Sequence, residues 1–314
     1  MSSADSTSSP GLLQSQDVFS IVASYLPIPS LLHCGQTCHL ANILVRQEIR
    51  FKLSQFLAAY FDPLSGAEAL EVNCAYVVGQ SAYTFFNTQE NVAGEEEILY
   101  ISCPSDRLTP FISQLLQPSI GYRTCPSLPS KSTYLLLNPY IRQTVTLARR
   151  NRFIVFTTVR NNNAVLASLG QPSTAFMSLV SPSYIWCAYP KWTFHSLSVW
   201  NPSYDERFVS LSILHRIRRA HSAIVDAGLT NISVPPRALD EFADVNEVLT
   251  ENHAHEGLRS SSDGRSLSFR LSVAGRTIGE VIWRFGGELF DNINKQGTSF
   301  AIDLPSSAMR IQGM

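Results

Sequence analysis

Ninety-eight consecutive residues, from Arg107 to Tyr204, contain no aspartate or glutamate, while nine lysines and arginines fall among them. Magnesium and calcium need hard oxygen ligands, so this third of the chain offers no carboxylate to such a metal. Charge is scarce overall, at 16% of residues and a net of -1, and that total favours neither nucleic acid nor a membrane surface. The six cysteines (34, 38, 74, 103, 125 and 187) form no CxxC pair. Several sit in apolar runs, where a free thiol behaves as a small hydrophobe, so a reducing compartment, cytoplasm or nucleus, is expected. No stretch approaches the roughly 18 apolar residues of a membrane span, and MSSADSTSSPG lacks the basic and apolar regions of a secretion signal. Neither an internal repeat nor a heptad pattern is present, which sets aside solenoids and coiled coils. The expectation is a soluble intracellular protein without membrane contact.

What the chain does have is apolar content, 45% of 314 residues, enough for one large core or a small module beside a larger domain. Residues 1–11 are Ser-rich and too polar to offset the entropy of ordering, which predicts a disordered tail. From residue 12 to 45, helical apolar spacing is broken by Leu-Pro-x-Pro-Ser, which predicts three short helices with Val18, Ile21, Val22 and Tyr25 on one face. A helix from Arg46 to Phe61 stops at Asp62-Pro63, and another covers 66–72. CAYVVG then reads as a buried strand ending on glycine, QSAYTFF as a helix start, and ILYI, after three glutamates, as a neighbouring strand. A helix is predicted over 106–117, and the two runs STYLLLN and QTVTLARRNRFIVFTTV read as strands, the second turning back on itself at Arg150-Asn151. A helix over 163–169 ends on Gly170, an apolar run from Ala175 to Tyr189 carries a Ser-Pro break, and helices follow over 204–228 and 238–250. Residues 266–287 alternate with period two around Ala274-Gly275, predicting a C-terminal hairpin that SFAIDL joins. Strands interleaved with helices give an α+β class.

Several clusters invite chemical roles. His33, Cys34, Cys38 and His39 are zinc-type ligands, but residues 33 and 39 point away from the other two on a helix, so no metal is expected. Cys187 and His195 have no visible orienting partner, and the core role is preferred to a nucleophile pair. His215 and His221 do not share a helix face, and His253 with His255 lies in a polar loop. The RRNR turn, near Tyr140, Phe153 and Phe156, leaves open a phosphate or nucleic-acid binder through the basic 107–204 segment, although a solvated hairpin tip is the simpler role.

The strand, Gly-turn, helix and acid-led strand from Asn73 to Ile101 resemble the nucleotidyltransferase fold. More narrowly, Gly79, Ala82, Phe85, Phe86 and Tyr100, with Met177 and the Cys187-Ala188-Tyr189-Pro190 block, are similar to a nucleotidyltransferase-like domain of fungal, basidiomycete-type proteins. Gln80 replaces the family's serine. The resemblance implies a mixed sheet with flanking helices over 62–314 and a nucleotide site at Gly79, Gln80, Glu95, Glu96 and Glu97. The acid pair is Glu95 with Glu97 in one register and Glu96 with Ile98 in the other. Nucleotidyl transfer uses two metals held by this pair and a third acid on a later strand. That acid falls in the carboxylate-free interval, so the site is expected to be degenerate, without catalytic residues, metal or cofactor. YLPIPSLL followed by Thr37-Cys38-His39 resembles an F-box, a helical module of 12–61. The resemblance implies docking on a Skp-type adaptor through Leu26, Pro27, Ile28, Leu31 and Leu32. Together these lead to a non-enzymatic recognition or scaffold protein, of which an F-box-type substrate receptor of a ubiquitin ligase is the form the second resemblance implies, with a metal-dependent nucleotidyltransferase using Glu95 and Glu97 as the alternative and the small-molecule substrate unassigned.

Overall fold

A computed structural model describes residues 16–87, 97–129, 140–159, 162–200, 211–232, 259–260, 266–272, 282–284, 288–291 and 300–303, together with 132, 135 and 138. The predicted tail over 1–11, the helix over 238–250, and Glu95 and Glu96 lie outside them.

The chain opens with α1 (Gln16–Ser24), α2 (Ile28–Gly35) and α3 (His39–Phe61). Pro27, in extended geometry, separates the first two, and Cys38 starts the third by accepting the Ala41 amide on its sulfur. The predicted break between residues 45 and 46 does not occur. LANILVRQEIRFKLSQFL contains no glycine or proline, and Ala41, Leu44, Val45, Ile49, Leu53 and Leu57 bury one continuous stripe, so α3 runs unbroken for 23 residues. Next comes α4 (Gly66–Val72), capped by Ser65. It starts so close to α3 that a Cβ on Gly66 would lie 2.6 Å from the Leu57 Cβ.

Then follow β1 (Tyr76–Val78), α5 (Gly79–Asn87), β2 (Glu97–Ser102), α6 (Ser105–Leu115), β3 (Arg123–Cys125), β4 (Ile141–Arg149), β5 (Arg152–Val159), α7 (Ala164–Leu169), β6 (Ser178–Val180), β7 (Tyr184–Cys187), α8 (Pro190–Phe194), β8 (Leu197–Val199), α9 (Leu211–Asp226) and β9 (Thr230–Ile232). The C-terminal part supplies β10 (Arg259–Ser260), β11 (Leu267–Arg270), β12 (Ile282–Arg284), β13 (Glu288–Asp291) and β14 (Phe300–Asp303). Eight strands form one mixed sheet in the order β11-β7-β6-β1-β2-β5-β4-β3. As predicted, CAYVV and ILYI are neighbours, with Val77 opposite Ile101 in an antiparallel pair. Among the described residues the one parallel pair in this sheet is β2 with β5, between which the chain forms α6, β3 and β4.

The expected hairpin over 266–287 is not formed. Its first half, β11, pairs with β7 at the edge of the main sheet. Its second half, β12, sits in a separate four-stranded sheet with β10, β13 and β14. Alternation shows that a strand has two unlike faces; it does not name the partner, and the free edge of β7 competes for β11.

Val77, Leu99, Ile101, Ile154 and Phe156 face one side of the sheet, and Val78, Tyr100, Val155, Leu179 and Trp186 the other. Both sides are covered, which is why these strands read as continuous apolar runs. α1 to α6 pack on the first face; α7, α8 and α9 cover the second. Phe19, Leu31, Val45 and Leu53 belong to the same core as Phe85, Phe156 and Phe269, so the N-terminal helices and the sheet share one interior.

Candidate functional site

At the end of β1 the backbone turns left-handed at Gly79, φ +63°, a conformation that costs any L side chain about 1–2 kcal/mol. Gln80 follows, half-buried, and then Ser81, which is buried. The Ser81 hydroxyl accepts the Tyr100 amide at 2.9 Å and donates to the Ile98 carbonyl at 3.1 Å. β2 extends beyond the two residue pairs it makes with β1, and Ser81 satisfies the ladder groups left over. Ser81, one residue after Gln80, thereby fastens α5 to the sheet.

Glu97 opens β2 directly opposite Arg152, the first residue of β5. Nε of Arg152 donates to its Oε2 at 2.6 Å. The same guanidinium donates to the Ala59 carbonyl in the last turn of α3. Arg149, across the hairpin turn, donates to the carbonyls of Asp62 (2.7 Å), Ile120 (3.0 Å) and Tyr60 (3.0 Å) and lies 4.8 Å from the Tyr122 ring centre. Tyr122 adds its own hydroxyl to the Tyr60 carbonyl at 2.9 Å. A helix ends with carbonyls that have no partner within it and with negative dipole charge; two arginines answer both needs for α3. Burial pushes the Tyr60 phenol upward, with Glu97 adding to the effect, and burial raises Tyr122 against the opposing pull of Arg149.

Glu97 is engaged by Arg152, so the carboxylate that the alternative, metal-dependent reading would use is part of a clasp. Of the RRNR turn, Arg149 and Arg152 point inward, and Arg150, at φ +58°, is the exposed one. The turn is a helix cap in place of a phosphate-facing tip. Sequence could have signalled this through the α3 end itself, which has no basic residue in its last turn and needs cations from elsewhere.

The predicted docking residues are also relocated. Ile28, Leu31 and Leu32 are buried in the core, and Leu26 packs against it half-buried, as is Pro27. They hold α2 onto its neighbours. The face predicted for α1 exists but points outward: Val18, Ile21, Val22 and Tyr25 are exposed, Ile21 at 63% and Tyr25 at 84%, while Phe19 and Ala23 are buried. Leu40, Ile43 and Phe51 (55%) are exposed on α3. Seven of the ten large apolar side chains exposed among the described residues thus lie between residues 18 and 51. Lys52 holds the two helices together, donating to the Ser24 carbonyl at 2.8 Å.

Among the described residues no group of three or more His, Cys, Asp or Glu side chains is placed to hold a metal. Cys38 is occupied as the α3 cap, and His33 is exposed. Cys187 is buried, its thiol donating to Thr193 Oγ1 at 3.3 Å, whereas His195 bonds the Lys191 carbonyl through Nδ1 at 2.6 Å. No helix among the described residues is long and apolar enough to cross a membrane. No family model, curated protein or solved structure matches the chain.

Proposed function

We propose that this protein is a non-catalytic recognition or scaffold protein whose N-terminal helices dock a partner, with a Skp-type adaptor as the partner that the F-box resemblance implies. The observation that carries this reading is the concentration of exposed apolar side chains on α1 and the outer face of α3. Contiguous exposed apolar surface marks an interaction site, and aromatic and branched aliphatic residues at its centre supply most of the binding energy. The proposed docking residues are Val18, Ile21, Val22 and Tyr25, together with the exposed Leu40, Ile43 and Phe51 of α3, in place of the buried Ile28, Leu31 and Leu32. The reading against nucleotidyl transfer rests on Glu97, whose carboxylate is bound to Arg152, and on the carboxylate-free run after Asp106.

The test is co-purification of the full chain with the adaptor, for the native sequence and for Ile21→Asp with Tyr25→Ser. Capture by the native chain and its loss in the double variant, with melting unchanged, is the expected result. Equal capture by both, or none by the native chain, would overturn adaptor docking at this surface.

A further inference from the structure

The outward face of α3 combines apolar side chains with charge of one sign. At about 100° of turn per residue, Leu40, Ile43, Gln47, Arg50, Phe51 and Ser54 project within an arc of about 100°, a stripe about 21 Å or four turns long. All six are exposed. Leu40 and Phe51, eleven residues apart, lie nearly in line along one margin of the stripe, and Ile43 and Arg50, seven apart, along the other. His39, eleven residues before Arg50 and also exposed, adds a second base to the Arg50 margin. No acid of α3 balances them: Glu48, its one carboxylate, is buried, with Oε1 4.0 Å from Lys52 Nζ. Among the described residues the ion pairs are Lys52 with Glu48, Arg107 with Asp106, and Arg152 with Glu97, and Arg50 takes part in none of them.

We infer that this stripe receives an amphipathic helix of a partner protein, which seats apolar side chains on Leu40, Ile43 and Phe51 and sets glutamate or aspartate beside Arg50. This rests on the reading of α1 and α3 as a docking surface and adds the kind of element that docks there. A docked helix is held by apolar anchors at i, i+3, i+4 and i+7, a spacing that fits within a stripe of this length. A guanidinium at the margin then selects the partner by charge more than it adds affinity, and its planar fork matches a carboxylate. A second copy of this chain is disfavoured as the occupant, because its own α3 stripe brings no carboxylate to meet Arg50. A membrane surface is disfavoured as well, since anionic lipid is read by clusters of about four to eight lysines and arginines, and this stripe holds a single arginine.

The experiment titrates the full chain at low salt into two fluorescein-labelled helical peptides of about fifteen residues, four turns each, followed by anisotropy. Both carry the same leucine face; one is flanked by glutamate and the other by lysine. An exposed ion pair is worth up to about fivefold and a like-charge contact costs a similar factor, so the glutamate peptide is expected to bind about fivefold or more tightly than the lysine peptide. Arg50→Gln should abolish that preference, Arg50→Glu should reverse it, and Phe51→Ser should weaken both peptides, each variant melting as the native chain does. The preference should also shrink as salt rises toward about 0.15 M. Binding of neither peptide, or a preference that survives Arg50→Glu, overturns the inference, and so does displacement of the glutamate peptide by phosphatidylserine vesicles or by self-association of the chain. Ile21→Asp with Tyr25→Ser alters α1 alone and should leave peptide binding unchanged. Adaptor capture without a peptide preference would sink this inference and leave adaptor docking standing, whereas a peptide preference without adaptor capture would do the reverse.

Discussion

Replacing Arg149 by methionine removes the guanidinium that reaches Asp62, Ile120 and Tyr60 but keeps an apolar stem of similar length over Tyr122. A hydrogen bond to a charged group is worth about 1.5–3 kcal/mol when the partners are buried, and leaving a carbonyl unmet costs about the same. Arg149 is only half-buried and water can reach part of the helix end, so about 1 kcal/mol for each of the three shorter bonds is the fair figure, or about 3 kcal/mol in all. At about 2–4 °C per kcal/mol for a protein of this size class, Tm should fall by roughly 6–12 °C. Arg149→Lys should recover less than half, because one ammonium point charge cannot span carbonyls from two separate segments. Arg150→Met, at the exposed tip, is the control and should stay within about 0.5 kcal/mol of the native protein. Chemical denaturation of the three variants, scored by midpoint at constant slope, is the assay. If Arg149→Met behaved like Arg150→Met, the clasp would contribute nothing and the energetic account of the α3 end would be wrong.

Ser81→Ala should cost about 1–3 kcal/mol in denaturant midpoint by stranding the Tyr100 amide and the Ile98 carbonyl, whereas Gln80→Ala should change little. Gly66→Ala must push α4 off Leu57, and overpacking of this kind costs about 1–3 kcal/mol, so a melting curve identical to native would contradict the close approach. Burial raises the Glu48 carboxyl, with Lys52 opposing, so the folded state holds that proton more tightly than the unfolded chain. Its stability contribution is complete below the unfolded value near 4.5 and is lost as pH rises through the higher folded value. Glu48→Gln should therefore raise Tm at neutral pH, and the advantage should shrink as pH falls toward 4.5. The Cys103 thiol is buried and pushed up to about 12, so iodoacetamide at mildly alkaline pH should label exposed Cys38 in the native protein and leave Cys103 untouched until denaturant is added.

The strands of the main sheet were legible because both faces are buried: Ile98 to Ile101 and Phe153 to Phe156 carry apolar side chains at every position, and nothing but a strand at the centre of a layered fold suits such short runs. The turn at Gly79, the hairpin at Arg150-Asn151 and the end of α7 at Gly170 were legible for local reasons, since each is decided by residues within one turn, whereas residue 163, expected inside that helix, is its N-cap. What sequence did not reveal was long-range partnership. The direction in which Arg149 and Arg152 point depends on the end of α3, ninety residues away for Arg149 and Ala59. The choice between the two apolar faces of α1 depends on which one α3 offers a surface to, and Phe19 with Ala23 won over Ile21 with Tyr25. The pairing of β11 with β7 is a choice among sheet edges that alternation cannot make.

The interior shared between α1, α2 and α3 and the sheet has a thermodynamic consequence. Cutting the chain at Phe61 would separate Phe61 from Phe111, whose rings stack 6.1 Å apart, and open the core on both sides of the cut. The N-terminal piece would lose the cover that Phe85, Phe156 and Phe269 give its buried face, and the other piece would expose those residues in turn. Helices and sheet should therefore melt in a single transition, with a calorimetric enthalpy equal to the van't Hoff value, and a protease should find its cleavage sites in the two parts at the same temperature.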